Sequence, residues 1–290
     1  MSVTIAAGEL EATFLPDVGM LGTSLRFGGR ELVDLAEGIA GYREGHETGL
    51  PLLAPWANRL DGWRYRAAGA DVDLTGLDLQ TDDNGLPIHG TMTAAAGWEV
   101  VAHDDAGLRA RFDYAGRPDL LAAFPFPHEL EIDARVDGTT LRIGTTVRPT
   151  ADRPVPVAFG WHPYLRLPTG DRASWQLRLP TRDHLELDTR GIPTGSSESE
   201  AAESKPVGGR TFDDLYALAD DRELGLASPD RSITVRYEAG YPYAQVYAPP
   251  GAEFVCLEPM TAPTNALAKG TCPLVAPGES FTATFSIEVA

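Results

Sequence analysis

A glutamate closes an otherwise apolar run, Phe254-Val255-Cys256-Leu257-Glu258-Pro259. Such a carboxylate is either a plain exposed strand end or, once partly buried, a base whose pKa rises above the free value of about 4.3. In Phe159-Gly160-Trp161-His162-Pro163-Tyr164 a histidine sits among aromatics and just before a proline, which holds it extended. His162 is either a satisfied core histidine or a group that passes a proton near neutral pH, with Trp161 and Tyr164 offering aromatic faces to a sugar ring. Pro51 to Gly62 delivers Asn58 and Arg59 through a proline-fixed approach. The Arg59 fork is either a solvated loop cation or a clamp on hydroxyls or a ring oxygen. In Leu86-Pro87-Ile88-His89-Gly90, His89 is either a turn histidine or a polar group brought close to a ligand by the glycine after it.

Other chemistries lack their residues. No helical i, i+4 histidine pair and no cysteines at ligand spacing occur, so no metal is expected. Neither a glycine-rich phosphate loop between strand and helix nor a Gly-x-Ser-x-Gly elbow is present, which argues against nucleotide binding and acyl transfer.

The elements that must position these groups read as strands. Leu130, Ile132, Ala134 and Val136 alternate with Glu131, Asp133 and Arg135, and Leu141 to Val147 repeats the pattern after Asp137-Gly138. Period-two alternation around a turn dipeptide predicts an antiparallel hairpin. Further strands are expected at Ser2 to Ala7, Leu10 to Leu15, Trp98 to Ala102, Leu108 to Tyr114, Ile233 to Glu238, Ala244 to Ala248, Glu253 to Leu257 and Phe281 to Val289. Helical periodicity is confined to Pro118 to Ala123 and Asp213 to Ala219, both too short for a layer. The fold class is therefore all-β, with strands closing into packed antiparallel sheets. Gly191 to Gly209 reads as a long polar loop, an insertion and not a boundary, so residues 1–290 are expected to form a single domain.

With 43% hydrophobic residues the chain can bury a large core. Its 42 acidic and 24 basic residues give a net charge of −18, which repels nucleic acid and anionic membrane surfaces and mildly favours neutral sugars over sugar phosphates. Arg64 and Arg166 are the candidates for a phosphate pocket. Two cysteines, Cys256 inside an apolar run, fit a reducing compartment. No basic leader with an apolar stretch and no run of about 18 apolar residues occurs, so a cytoplasmic location is expected.

In this order along the chain, the four clusters resemble the aldose 1-epimerase (galactose mutarotase-like) family. Asn58-Arg59-Leu60 with Gly62 is similar to the family's Asn-Arg-Ile segment, and His89-Gly90 and His162-Pro163-Tyr164 to its two histidine motifs. Cys256-Leu257-Glu258-Pro259-Met260-Thr261-Ala262-Pro263-Thr264-Asn265-Ala266 is similar to its terminal glutamate motif. Phe212-Asp213-Asp214-Leu215-Tyr216 looks like the segment supplying a sugar-binding aspartate, aligned with Asp213 and next with Asp214. Trp161 replaces the asparagine usual in galactose mutarotases, and Thr91 replaces a second glycine, which resembles a bacterial branch and leaves galactose open as the substrate.

The resemblance implies a large antiparallel β-sandwich, the galactose mutarotase-like supersandwich, and no cofactor. It implies Glu258 as general base and His162 as general acid, with Arg59, His89 and Asp213 on an aldose substrate. A carboxylate and an imidazolium are the expected starting forms. A monomer or homodimer is expected. Two rival readings are a carbohydrate-binding protein without catalysis and a glycoside hydrolase pairing Glu258 with Asp213.

Overall fold

The computed structural model describes residues 1–290. Two large sheets carry the architecture. The first has nine strands, running from the edge at Glu203–Pro206 through Gln176–Leu179, Glu223–Ser228, Arg231–Ala239, Phe281–Val289, Thr140–Pro149, His128–Asp137 and Gly107–Asp113 to Glu99–His103. The second runs from Pro193–Glu200 through Arg182–Leu187, Phe212–Leu218, Tyr243–Ala248, Val255–Met260 and Gly160–Trp161 to Leu52–Leu53, with Tyr164–Leu165 also paired to Val255–Met260. A four-stranded sheet spans Val3–Ala7 to Arg30–Glu31. All ladders pairing these strands are antiparallel.

Alternation explains why the sheets face one another. Ala283, Phe285, Ile287 and Val289 are all fully buried. Phe285 packs against Trp161 of the other sheet at 5.9 Å between ring centroids. One cluster of 69 buried residues runs from Val3 to Val289, so both sheets share a core. The expected hairpin is present: His128–Asp137 pairs with Thr140–Pro149 around Gly138, whose φ of 60° suits a residue without Cβ. No helix is long and apolar enough to cross a membrane.

Two expectations fail. Asp213 to Ala219 is not helical: Asp213 to Leu218 lie in the strand Phe212–Leu218, paired on both sides with Tyr243–Ala248 and Arg182–Leu187, and Ala219 follows its end. Seven residues cannot offset the cost of helix nucleation, whereas a central strand satisfies every backbone group from its neighbours. Gly191 to Gly209 is not a loop either. Pro193–Glu200 forms the edge of the smaller sheet, and after Ala201-Ala202 the chain crosses over to form the edge of the larger one at Glu203–Pro206. Both faces of these edges meet water, so no apolar alternation marks them.

Candidate active site

Strand register brings the two principal residues together. Gly160 pairs with Met260 and Tyr164 pairs with Cys256, so His162, midway between Gly160 and Tyr164, falls opposite Glu258, midway between Cys256 and Met260. Pro163 has no N–H to donate, and the ladder is interrupted where the histidine side chain leaves it. His162 Nε2 lies 3.3 Å from Glu258 Oε1. Both side chains are almost wholly buried, and both line a cavity of about 150 Å³. Gly160 makes this approach possible, because a Cβ there would stand 2.2 Å from Met260 Sδ and 2.9 Å from Pro259 O.

The remaining groups arrive from three directions. Asn58 and His89 both have left-handed backbone, at φ 54° and 61°, and His89 N–H donates to Asn58 O at 3.1 Å. Gly90 then wedges against Ala54, whose carbonyl oxygen would be 2.2 Å from a Cβ at that position. Arg59 donates through Nε to Asp82 at 2.7 Å and reaches Asp213 through Nη2 at 3.5 Å. Asp213 also accepts from Gln245 Nε2 at 2.6 Å. Tyr164 stacks on His162, 4.5 Å between centroids and 10° between planes, while His89 meets the same ring edge-on at 5.8 Å.

Burial controls protonation. It holds Glu258 well above the usual carboxylate range, reinforced by Asp213 and Glu47 and opposed by Arg59. It also holds His162 below the usual histidine range, and His89 likewise, the latter with help from His162 and Arg59. Burial thus pushes the pair towards a carboxylic acid beside a neutral imidazole, against the carboxylate and imidazolium that free pKa values favour, because the cavity disfavours both charges. It still carries one transferable proton. Glu258 Oε1 and Oε2, His162 Nδ1, His89 Nδ1 and Gln245 Oε1 are all shut from solvent without a hydrogen-bond partner. Each such group left unpaired costs about 1–3 kcal/mol, and the four residues that carry them all line this one cavity.

Pairing also assembles donors that linear spacing does not reveal. Ligand atoms of His162, Cys256 and Glu258 lie within 4.8 Å of one another, residue types that hold zinc elsewhere. Burial raises the pKa of both Cys256 and Glu258, so a cation there would have to displace protons from each.

Glu258, His162, Arg59, His89, Asp213, Asn58 and Tyr164 all line the cavity, and Trp161 does not. Adjacent strand residues face opposite ways, so with His162 in the cavity Trp161 points into the core, where Nε1 donates to Thr145 Oγ1 at 3.0 Å. Asp214 is turned away from Asp213 in the same manner and approaches His184 Nε2 at 3.4 Å in a different cavity. Arg64 pairs with Asp73 on an exposed hairpin away from this cavity, and Arg166 stands 3.7 Å from Asp34, so the two do not form a phosphate pocket. Sequence reasoning missed Gln245, Tyr247, Ile88 and Asp82. Gln245, a polar residue inside the buried strand Tyr243–Ala248, was the one visible signal.

The sequence model of the family described as aldose 1-epimerase matches residues 1–288. No curated protein matches the sequence. Solved structures with the same fold include a galactose mutarotase-like protein from Clostridium acetobutylicum, 19% identical with a TM-score of 0.86, covering 100% of this chain and 95% of that one. An aldose epimerase homologue from C. elegans is 18% identical with a TM-score of 0.84, covering 100% and 98%. A putative aldose 1-epimerase from Escherichia coli K12 is 18% identical with a TM-score of 0.81, covering 100% and 99%. These identities speak for the fold, whereas the match along nearly the whole sequence decides kinship: the chain belongs to the aldose 1-epimerase family.

Proposed function

We propose that the protein interconverts the α and β anomers of a free aldose, with Glu258 and His162 as the acid/base pair. The observation that carries this reading is their 3.3 Å contact at the buried end of a cavity rimmed by Arg59, His89 and Asp213. In a cyclic aldose the C1 hydroxyl oxygen and the ring oxygen are bonded to the same carbon. Two adjacent groups can therefore serve both, with no need to stand on opposite sides of the sugar.

Ring opening requires Glu258 as carboxylate and His162 as imidazolium. A sugar hydroxyl donating to Glu258 stabilises that carboxylate, and the shared proton passes to the imidazole. Glu258 then takes the proton from the C1 hydroxyl while His162 protonates the ring oxygen. The C1–O5 electron pair leaves with the ring oxygen, and the C1–O1 bond becomes a carbonyl. What remains is an open-chain aldehyde beside a carboxylic acid and a neutral imidazole, the protonation state that burial favours. Rotation about C1–C2 presents the other carbonyl face, and the same transfers in reverse close the ring. Arg59, Asn58, His89 and Asp213 hold hydroxyls, and Tyr164 fixes the plane of the His162 ring by stacking. Each positioned proton-transfer group typically contributes about 10²–10⁴-fold, enough for a reaction that already proceeds in water.

NMR exchange between anomers, measured across hexoses and pentoses, tests the proposal. Acceleration of at least one sugar is expected. Saturable binding without acceleration points to a lectin-like protein, and release of chromophore from a chromogenic glycoside points to a hydrolase.

A further inference from the structure

Strand register gathers three donors of different kinds. Cys256 and Glu258 stand two residues apart in the strand Val255–Met260 and so share a face, which His162 reaches from the neighbouring segment. One donor atom from each of the three lies within 4.8 Å of the others, and all three residues are buried. We propose that Cys256, His162 and Glu258 form a binding site for a borderline-soft divalent cation of the zinc and cadmium kind, whose reversible capture silences the acid/base pair. The site itself does not depend on the anomerisation reading, whereas the silencing rests on it.

Three observations support it. Zinc takes nitrogen and oxygen at about 2.0–2.2 Å and sulfur at about 2.3 Å, so the edges of its tetrahedron measure about 3.3–3.7 Å. His162 Nε2 and Glu258 Oε1 already stand 3.3 Å apart. Close as they are, neither Oε1 nor Oε2 of Glu258 has a hydrogen-bond partner, so the carboxyl group keeps its lone pairs uncommitted where solvent does not reach. Finally, the charges balance. A divalent cation enters as the Cys256 thiol and the Glu258 carboxyl each release a proton, and the buried cluster is left with no net charge.

The donor set decides both the cation and the consequence. A thiolate with an imidazole selects zinc or cadmium over magnesium and calcium, which favour oxygen ligands. His162 and Glu258 line the cavity, which leaves space for a fourth ligand such as water. His162 Nδ1 lacks the partner that usually orients a metal-bound histidine, which suits a reversible inhibitor and not a resident metal. Ligation occupies the imidazole lone pair and the carboxylate, so neither group can exchange a proton with a sugar. Cys272, the other cysteine, stands outside the cluster.

The test combines cadmium titration followed by thiolate charge-transfer absorbance, zinc calorimetry, and NMR anomer exchange with and without zinc. A single equivalent of cadmium is expected to saturate the absorbance, zinc to displace it and magnesium to leave it unchanged. Zinc at saturation slows anomer exchange at least about 100-fold, the share of one proton-transfer group, and a chelator restores it. Cys256→Ala abolishes the absorbance, weakens zinc binding at least about tenfold and removes the difference between exchange rates with and without zinc, whereas Cys272→Ala keeps all three. Glu258→Gln, read by absorbance and calorimetry alone, weakens binding by a similar factor and decides the matter if Cys256→Ala does not fold. No zinc binding by the wild type, affinity unchanged in Cys256→Ala or Glu258→Gln, or absorbance lost in Cys272→Ala overturns the site. Bound zinc that leaves anomer exchange unslowed overturns the silencing. If no sugar is anomerised, the reading of the activity fails, and the cadmium and zinc titrations still decide the metal site.

Discussion

Replacing Glu258 by glutamine separates its chemistry from its structural role. Glutamine matches glutamate in shape and cannot take or give the proton, so the reaction loses one of its two transfer groups. At about 10²–10⁴-fold for such a group, the barrier should rise by about 3–5 kcal/mol. Folding should respond in the opposite direction. Glu258 is 1% exposed, both its oxygens lack hydrogen-bond partners, and neighbouring Asp213 and Glu47 oppose its ionisation. A neutral amide escapes that electrostatic penalty, so the variant should melt at or above the wild-type temperature near neutral pH. Sugar affinity should change little, because glutamine still offers hydrogen bonds to hydroxyls. Polarimetry on fresh α-glucose or another accepted sugar reads the rate, calorimetry the affinity and thermal melts the fold. A folded Glu258→Gln protein with a rate within about threefold of wild type would refute proton transfer at this residue.

Four further outcomes follow from the same geometry. Asp82→Ala frees the Arg59 guanidinium that Asp82 holds at 2.7 Å, and steady-state kinetics should show KM raised about tenfold with kcat little changed. Trp161→Phe loses the hydrogen bond to Thr145 inside the core, so melts should report about 1 kcal/mol of lost stability while calorimetry finds sugar affinity unchanged. Gly160→Ala forces a methyl into the space of Met260 Sδ, and denaturation should show about 1–3 kcal/mol of lost stability together with a slower reaction as His162 and Glu258 part. Burial raises Glu47 to a pKa of about 7, so its contribution to stability is full below the usual carboxylate range and is lost as pH rises through about 7. At about 1.4 kcal/mol per pH unit, Glu47→Gln should remove up to about 3 kcal/mol of that decline, read from melts between pH 4 and pH 8.

The strands with one wet and one dry face were legible, because a period of two in His128–Asp137 or Phe281–Val289 is written directly in residue types. His162 and Glu258 were legible as polar residues set in apolar runs before prolines. Their mutual contact was not, since it depends on a register between segments almost a hundred residues apart. The error at Trp161 has a local cause. Nearness in sequence to His162 suggested a shared cavity, whereas the alternation that exposes one neighbour buries the other. The same rule separates Asp213 from Asp214, and only the identity of the facing strands, Tyr243–Ala248 and Arg182–Leu187, shows which aspartate meets Arg59. Free pKa values point to a carboxylate and an imidazolium because they contain no burial term, whereas burial is the largest influence at both residues and pushes each towards its neutral form.

The crossing ribbon that supplies one outer strand to each large sheet also governs how copies of the protein meet. An unguarded outer strand recruits strands from other molecules. Here the exposed positions of both outer strands are filled by Ser197, Glu198 and Ser199 on one and Ser204, Lys205 and Pro206 on the other. Arg182 pins the crossover from beneath, bonding Ala201 O at 3.3 Å and pairing with Glu200. An approaching strand finds hydrophilic side chains, a proline without a donor and a net negative molecule, so the flank least readable as structure is the one that resists fibrillar stacking.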